Sequence, residues 1–300
     1  MLRRAVVVLL MIAVGAGAQQ RRRASSPPTS TDTSLAFYFD SGFRALNATN
    51  PAPGIDPASG TFYLYYTDHL TGRQMVMTSS DGLTFANAAE PRGDWRFDPR
   101  NTLMPDGKTW RRYEWDLVNK LMKSSSSTDG IHFTADTGTR YTPQANDANS
   151  IGVYDAFSDR SGGVVLLYIG DLTGANNIRR AYSRDNGLAF TFDRGDVLGD
   201  AGAGGGANSY VDEKTIRLPD GRIRLFTMKQ HVIDSFISND DGYSFTREAG
   251  ARLERSAYGG ATLTSLNDPV VVHLADGRDR MYVASLRSDN VWVIVSATTK

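Results

Sequence analysis

One short unit recurs along the sequence, and this repeat constrains the fold more than any other feature. Residues 211–226 and 267–282 align without a gap: each has an Asp at its second position and an Asp-Gly pair that begins eight residues after that Asp. A third copy begins around Asp98, and two shorter relatives begin around Asp56 and Asp155. Aromatic and β-branched residues flank each turn, so each copy predicts a strand, a tight turn and a second strand.

A second motif follows four of the five copies. Residues 183–190 and 238–245 read Ser-x-Asp-x-Gly-x-x-Phe, and residues 78–85 and 126–133 are degenerate versions in which a Phe again lies three residues after the Gly. An Asp in such a motif accepts backbone N–H groups within a hairpin turn, and the Phe packs between sheets. We therefore interpret the motif as structural rather than catalytic.

Short strands occur at regular spacing, and no segment shows the apolar periodicity of a long helix. Together these two observations predict an all-β fold. Blades of four strands repeated around an axis form a β-propeller, and the five copies predict five blades within residues 35–300. The last copy retains only three strands, whereas residues 35–40 form a spare strand before the first copy. We therefore predict a five-bladed β-propeller whose last blade is closed by the N-terminal strand.

The first 34 residues have the composition of targeting and linking sequence. Residues 1–18 carry two early arginines, an apolar run of ten residues and a small-x-small site, which predicts a secretory signal peptide. An uncleaved N-terminal anchor is the alternative. Residues 19–34 are polar and rich in Arg, Ser, Pro and Thr, which is typical of a disordered linker. We expect a secreted or periplasmic protein without a stable membrane span after signal cleavage.

Composition excludes several classes of protein. The chain has 33 basic and 33 acidic residues, whereas nucleic-acid binders carry a basic excess, so no nucleic-acid partner is expected. It has no Cys, which excludes disulfides, Cys-ligated zinc or iron–sulfur sites and thiol nucleophiles. The stability of the protein must therefore come from its hydrophobic core.

The motifs resemble those of known propeller families. The Ser-x-Asp-x-Gly-x-x-Phe motif resembles the Asp-box, or BNR repeat, of sialidases. The Asp-Pro…Asp-Gly-Arg-x-Arg-Met-Tyr unit at 268–282 is similar to strands of five-bladed glycoside hydrolases, the arabinanase, xylosidase and invertase group. The resemblance covers residues 35–300. It implies an exported glycoside hydrolase, sialidase-like or exo-acting, with a carbohydrate substrate and paired carboxylates at the propeller axis.

The resemblance also implies roles for three acidic residues. In five-bladed hydrolases the base is an Asp that opens the first blade, a second Asp that opens the third blade tunes the acid, and a Glu is the acid. Carried over by position, Asp56 is the implied base, Asp155 the implied tuning residue and Glu213 the implied acid. Glu114 is a rival for the acid.

The predicted topology gathers further polar residues at one mouth of the propeller. The repeat Asp begins the innermost strand of each blade, whereas the Asp-Gly turns and Asp-boxes lie on the opposite face. A concave mouth with convergent polar groups is the expected ligand site. The predicted substrate-binding residues are His69, Asp98, Glu114, Trp115, Asp212, His231 and Asp268.

Three alternatives remain open for this mouth. An Asp repeated in every blade also fits a structural role as a cap of loop backbone. Paired-carboxylate hydrolysis needs no cofactor, but several carboxylates on the axis would also suit Ca²⁺. A non-catalytic propeller that binds glycan or protein would use the same surface, and the sequence lacks the Phe/Tyr-Arg-Ile-Pro motif of sialidases.

Overall fold

The chain forms five antiparallel sheets, as in a five-bladed β-propeller: four are built from consecutive strands, and the fifth joins the first two strands to the last three. The computed structural model describes residues 35–87, 97–130, 132–147, 151–170, 177–199 and 209–300, and at 87, 97–100 and 146 it describes the backbone alone. The predicted signal peptide and linker, residues 1–34, lie outside the described residues.

The strands are numbered in chain order. Two short strands come first, β1 (Tyr38–Phe39) and β2 (Ala45–Leu46). Blade 1 contains β3 (Ala48–Ile55), β4 (Phe62–Asp68), β5 (Gln74–Ser79) and β6 (Ala86–Asn87). Blade 2 contains β7 (Phe97–Leu103), β8 (Trp110–Asp116), β9 (Leu121–Ser127) and β10 (Thr134–Ala135). Blade 3 contains β11 (Ile151–Ser158), β12 (Val164–Gly170), β13 (Ile178–Ser183) and β14 (Thr191–Arg194).

Blades 4 and 5 complete the ring. Blade 4 contains β15 (Val211–Arg217), β16 (Ile223–Lys229), β17 (Val232–Ser238), β18 (Thr246–Arg247) and β19 (Leu253–Glu254). Blade 5 contains β20 (Asn267–His273), β21 (Asp279–Leu286) and β22 (Trp292–Thr298) together with β1 and β2. Short 3-10 helices lie at Ala145–Asp147 and Arg255–Ala257. The described part of the chain contains no helix with the length and hydrophobicity needed to cross a bilayer.

The first strand of each blade lies innermost. These strands, β3, β7, β11, β15 and β20, contact one another around the axis, and we call them the hub strands. All five begin at the same end of the axis, which we call the mouth, and run to a tight turn at the opposite end. This arrangement confirms the predicted fold class and number of blades.

Apolar side chains fill the spaces between neighbouring blades, and β12 shows how the sequence produces this packing. Successive side chains of a strand point to opposite faces of the sheet. Val164, Leu166 and Tyr168 pack towards blade 2, and Val165 and Leu167 pack towards blade 4. Because both faces of the sheet are covered, this strand is a continuous apolar run rather than an alternating one.

The N-terminal strand completes the fifth blade, which confirms the predicted closure. β1 pairs antiparallel with β22, with Tyr38 opposite Thr298. The Asp40 carboxylate accepts hydrogen bonds from Thr298 Oγ1 at 3.0 Å. Phe37, directly before β1, packs edge-to-face on Phe226 of blade 4, with ring centroids 5.8 Å apart. The added strand covers an edge of the sheet that would otherwise invite pairing with other chains.

The Ser-x-Asp motifs form turns after the third strand of blades 1 to 4. In blade 3, Asp185 Oδ1 accepts hydrogen bonds from the N–H groups of Leu188 (3.1 Å) and Ala189 (2.9 Å). The N–H of Gly187 donates to Ser183 Oγ at 2.9 Å. The same capping recurs at Asp81, Asp129 and Asp240. These carboxylates are therefore engaged by the backbone of their own turns.

Two of these turns also accept a hydrogen bond from a Tyr side chain of the preceding blade, where blade 5 precedes blade 1 around the ring. Tyr282 of blade 5 donates a hydrogen bond to the carbonyl oxygen of Gly82 in blade 1, at 2.7 Å. Tyr113 of blade 2 donates to the carbonyl oxygen of Gly187 in blade 3, at 3.0 Å. Gly187 has a φ of 75°, and a Cβ there would lie 1.9 Å from Tyr113 Oη. Only glycine satisfies both the conformation and the close approach.

Candidate active site at the mouth of the propeller

Every hub strand carries a β-bulge within its first residues. In β15 the register shifts between Val211 and Lys214, and in β20 between Asn267 and Val270. Equivalent shifts occur in β3, β7 and β11. A bulge redirects a side chain and often lies beside a functional site. The second residue of each bulge, from blade 1 to blade 5, is Asn50, Asp98, Gly152, Asp212 and Asp268.

Backbone conformation explains the residue type at three of these five bulge positions. Asn50, Asp212 and Asp268 have φ values of 52°, 62° and 51°. The left-handed region is open to Gly and, among other residues, mainly to Asn and Asp. All five positions carry one of these three types. At Asp212 and Asp268 the repeat Asp therefore has a conformational cause, and a carboxyl group is present only where the residue is Asp.

One hydrogen bond joins the bulge residues of blades 4 and 5. The N–H of Asp268 donates a hydrogen bond to Asp212 Oδ2 at 3.1 Å. Asp212 is 8% exposed and Asp268 is 7% exposed, so each retains a small accessible surface. Asp98 occupies the same position in blade 2, but its side chain lies outside the described residues. Acid–base hydrolysis of a glycosidic bond needs two carboxyl groups that flank it.

The structure corrects the placement of Asp56. The sequence predicts that it opens the first hub strand, but Asp56 follows the end of β3, and Asn50 occupies the opening position. Its Oδ1 accepts the N–H of Ala58 at 3.0 Å, and its Oδ2 accepts a hydrogen bond from Ser59 Oγ at 2.6 Å. The bond from Ser59, and then that from Ala58, lower the pKa of Asp56. The predicted position at the mouth is wrong: Asp56 caps a turn at the opposite end.

Asp155 is also displaced from the predicted position. It lies in the middle of β11, and Gly152 stands at the bulge of the third blade. Asp155 is fully buried, and its Oδ2 accepts hydrogen bonds from both N–H and Oγ1 of Thr215 in blade 4, each at 2.6 Å. Nearby, Lys214 Nζ donates to the carbonyl oxygen of Tyr154 at 2.7 Å. Asp155 therefore joins two hub strands.

Glu213 follows Asp212 in β15 and is completely buried. Its side chain has no exposed surface, whereas that of Asp212 beside it keeps a small one. A carboxyl group without exposed surface does not meet a substrate in this conformation. None of the three acidic residues that the resemblance implies as catalytic thus presents a carboxyl group at the mouth.

The two predicted histidines lie in turns at the mouth end. His69 is exposed in the turn after β4, and its ring centroid is 5.8 Å from that of Trp292. His231 lies in the turn after β16 with a φ of 64°. Burial lowers the pKa of His231, and the nearby Arg255 lowers it further. Both rings are therefore placed at the end of the molecule that carries Asp212.

Two other predicted binding residues lie between blades. Trp115 is 2% exposed and packs in the core between blades 2 and 3, against Met122. The expectation that it lies open to a substrate is wrong, because alternation along β8 turns it into the core. Glu114, its neighbour, lies 3.8 Å from Arg112 Nε, and Arg112 in turn stacks on the ring of Tyr65 in blade 1.

The Ca²⁺ expectation remains a prediction. Among the residues that the structure describes, no three His, Asp or Glu side chains are grouped in a way that could hold a metal ion. The Asp98 side chain, which shares the bulge position of Asp212 and Asp268, is outside that description.

Comparison with known proteins identifies structural but not sequence relatives. No family model and no curated protein sequence matches the chain. The endo-arabinase of Bacteroides thetaiotaomicron aligns with a TM-score of 0.62 at 14% identity, over 87% of this chain and 96% of that one. The catalytic domain of the Coprinopsis cinerea GH62 α-L-arabinofuranosidase aligns at 0.64 and 13%, over 89% and 98%.

A third solved structure of a glycoside hydrolase also aligns with this chain. The α-L-arabinofuranosidase of Lactobacillus brevis aligns with a TM-score of 0.60 at 12% identity, over 87% of this chain and 92% of that one. Identities this low establish the fold alone. The chain thus shares its propeller fold with glycoside hydrolases.

Proposed function

We propose that this protein is a glycoside hydrolase that acts at the mouth of the propeller, with Asp212 and Asp268 as its reacting carboxyl groups. The hydrogen bond from the N–H of Asp268 to Asp212 Oδ2 carries this proposal, because it ties the two carboxyl-bearing bulges of adjacent blades together. The likeness to arabinanase and arabinofuranosidase structures supports the choice of reaction.

The two carboxyl groups take different roles. Hydrolysis of a glycosidic bond needs a carboxylic acid that protonates the leaving oxygen and a carboxylate that activates water or attacks the sugar. An N–H donor stabilises negative charge on the oxygen that accepts it. We therefore assign Asp212 as the carboxylate and Asp268 as the acid. His69, Trp292 and His231 lie at the same end and would contact the sugar.

The proposal includes the location and substrate of the enzyme. The predicted signal peptide, residues 1–18, would export the chain, so its substrate would be an extracytoplasmic oligosaccharide, polysaccharide or glycoconjugate. Arabinofuranosides are the first sugars to test, because the neighbours named above act on arabinose polymers or arabinofuranosides by name. A terminal sialic acid is the second, because of the Asp-box resemblance.

Purified protein and a panel of aryl glycosides test the proposal. We expect release of the aryl group from at least one α-L-arabinofuranoside, β-D-xyloside or α-sialoside. Asp212→Asn and Asp268→Asn should each lower kcat by about 100-fold or more. Asn50 holds the same bulge conformation in blade 1, so both variants should fold. Asp220→Asn, in the opposite turn of blade 4, is the matched control and should leave kcat unchanged.

Two outcomes would reject the assignment: no sugar released from any substrate, or an unchanged kcat in Asp212→Asn. A second candidate function then becomes the better one. The bulges of blades 1 and 3 carry Asn50 and Gly152, where the resemblance implies the base and the tuning carboxylate. This favours a propeller that binds glycans without cleaving them. Glycan retention on an affinity gel without product, weakened by Asp212→Asn, would establish that function.

A further inference from the structure

A small cleft lies between blades 1 and 2 at the end of the propeller opposite to the mouth. Its walls come from β3, β4, β7 and β8, and from turns at that end of blades 1 and 2. The lining residues that matter chemically are Asp56, Tyr63, Tyr65, Asn101, Trp110 and Asp129. Three aromatic rings, two carboxylates and one amide therefore share a site that the proposed hydrolysis does not use.

The carboxylates give the cleft a negative potential. Burial raises the pKa of Tyr63, and the Asp56 and Asp129 carboxylates raise it further, which places both charges near one phenol. Two basic side chains also lie near the cleft. The first is Arg112, whose guanidinium stacks on Tyr65 at 5.4 Å from the ring centroid. The Glu114 carboxylate lies 3.8 Å from Arg112 Nε and offsets its charge.

His132 is the second basic group near the cleft. Its Nδ1 lies 2.7 Å from Asp129 Oδ2, and its side chain is 79% exposed. Both side chains of this pair are exposed, so solvent weakens the interaction between them. Asp56 has a cap of neutral donors, Ser59 and the Ala58 N–H, and neither cancels its charge. The cleft is thus suited to a cation rather than to an anion.

The amide of Asn101 provides an independent indication of a ligand. Both its Oδ1 and its Nδ2 are buried, and neither has a hydrogen-bond partner among the described residues. A buried polar group without a partner is destabilising, and the general solution is a partner from water or a ligand. Asn101 Oδ1 could accept a hydrogen bond from a donor in the cleft.

The volume of the cleft selects the size of the ligand. The cleft is partly open to solvent, and its inner space is about 20 Å³, whereas one water molecule needs about 10–15 Å³ on this measure. An ammonium group therefore fits into this inner space, and the organic chain that carries it would extend towards solvent. Aromatic rings attract an ammonium group through their negative faces, and carboxylates add to that attraction.

We propose that this cleft binds the primary ammonium group of an organic cation, either a free alkylamine or a Lys side chain. The ammonium group lies between Tyr63 and Trp110, donates to Asn101 Oδ1 and is neutralised by Asp56 and Asp129. This site is separate from the mouth, and its occupancy does not depend on hydrolysis.

Titration of the full-length protein monitored by NMR tests the proposal. The indole N–H signal of Trp110, assigned with Trp110→Phe, reports on the cleft. We expect saturable shifts with n-butylammonium chloride or with Nα-acetyl-lysinamide, and the tighter of the two identifies the source of the ammonium group. Equal shifts with neutral n-butanol, or with sodium chloride at the same ionic strength, would overturn the proposal.

A pair of matched variants separates the cleft from general charge effects. Asp56→Asn should weaken binding of n-butylammonium about fivefold, because one carboxylate is lost while the turn cap is kept. Asp106→Asn removes the same charge from the equivalent turn of blade 2, outside the cleft lining, and should not change the affinity. Wild-type affinity in Asp56→Asn, or equal losses in the two variants, would reject the site.

Discussion

Phe37 connects the closing strand to the neighbouring blade, so replacing it by Ala tests how the propeller is held shut. Its side chain is 7% exposed and packs edge-to-face on Phe226 at 5.8 Å. Truncating a buried Phe to Ala costs about 3–5 kcal/mol, from lost transfer free energy and from the cavity left behind. β1 contains only two residues and can shift towards the space, so we expect a loss near the lower limit, about 3 kcal/mol.

Calorimetry and urea unfolding measure this loss. In a protein of this size, about 3 kcal/mol corresponds to a decrease in Tm of about 6–12 °C. Tyr38→Ala is the matched control, since Tyr38 lies in the same strand but is 40% exposed, and its loss should stay below about 1 kcal/mol. Equal Tm values for the two variants would refute the idea that burial of Phe37 secures the closure.

Three further changes have defined outcomes. Gly187→Ala places a Cβ 1.9 Å from Tyr113 Oη at a φ of 75°, so urea unfolding should show a loss of at least about 2 kcal/mol. The hydrogen bond to Asp279 raises the pKa of His273, so the stability it contributes is complete below the unfolded pKa, about 6.5, and is lost as pH rises through the raised value. His273→Gln should therefore lower Tm more at pH 5.5 than at pH 8.5. Asn50→Asp adds a carboxyl group to the first blade; because Asp212 and Asp268 already take both roles in the proposed mechanism, kcat on an aryl glycoside should change by less than about threefold.

Each of these changes has its own control. Gly277→Ala has a φ of 87° and no atom within 4 Å of the added Cβ, so it reports backbone strain alone. If Gly277→Ala lowers Tm as much as Gly187→Ala does, the contact of the added Cβ with Tyr113 Oη is not the cause of the loss at position 187. If His273→Gln lowers Tm equally at both pH values, the protonated imidazole of His273 does not stabilise the fold. Asn50→Gly keeps the bulge without a carboxyl group, and a gain in kcat of about tenfold in Asn50→Asp but not in Asn50→Gly would contradict the assignment of Asp212 as the carboxylate.

The blade order and the closing strand can be predicted from the sequence, because both depend on local patterns. The apolar run of β12 and the Asp-Gly turns identify strands and hairpins without knowledge of their neighbours. The Ser-x-Asp motif predicts the capped turns around Asp185 in the same way. The spare strand at 35–40 and the three-stranded last copy then leave one way to complete the ring.

The candidate site could not be predicted to the same extent, because an Asp has several uses in this fold. Asp212 occupies a left-handed bulge, Asp56 caps a turn, and Asp155 joins two hub strands. Residue type alone does not separate these roles. The bulge accepts Asn, Asp or Gly, so aligning the acidic residues alone does not identify Asn50 and Gly152. The pair Asn50-Pro51, which parallels Asp98-Pro99 and Asp268-Pro269, is the signal that identifies the first bulge.

The pairing of β1 with β22 also determines when the propeller ring can close during synthesis of the chain. Asp40 and Thr298, which bond across this pair, are 258 residues apart in the chain. A ribosome produces β1 early and its partner late, so the first strand must wait unpaired while four blades are synthesised. Contacts between such distant segments form slowly, because a long loop must close first. The ring is therefore sealed after translation of β22, and the interval before sealing is when the growing chain is most exposed to proteases and to wrong partners.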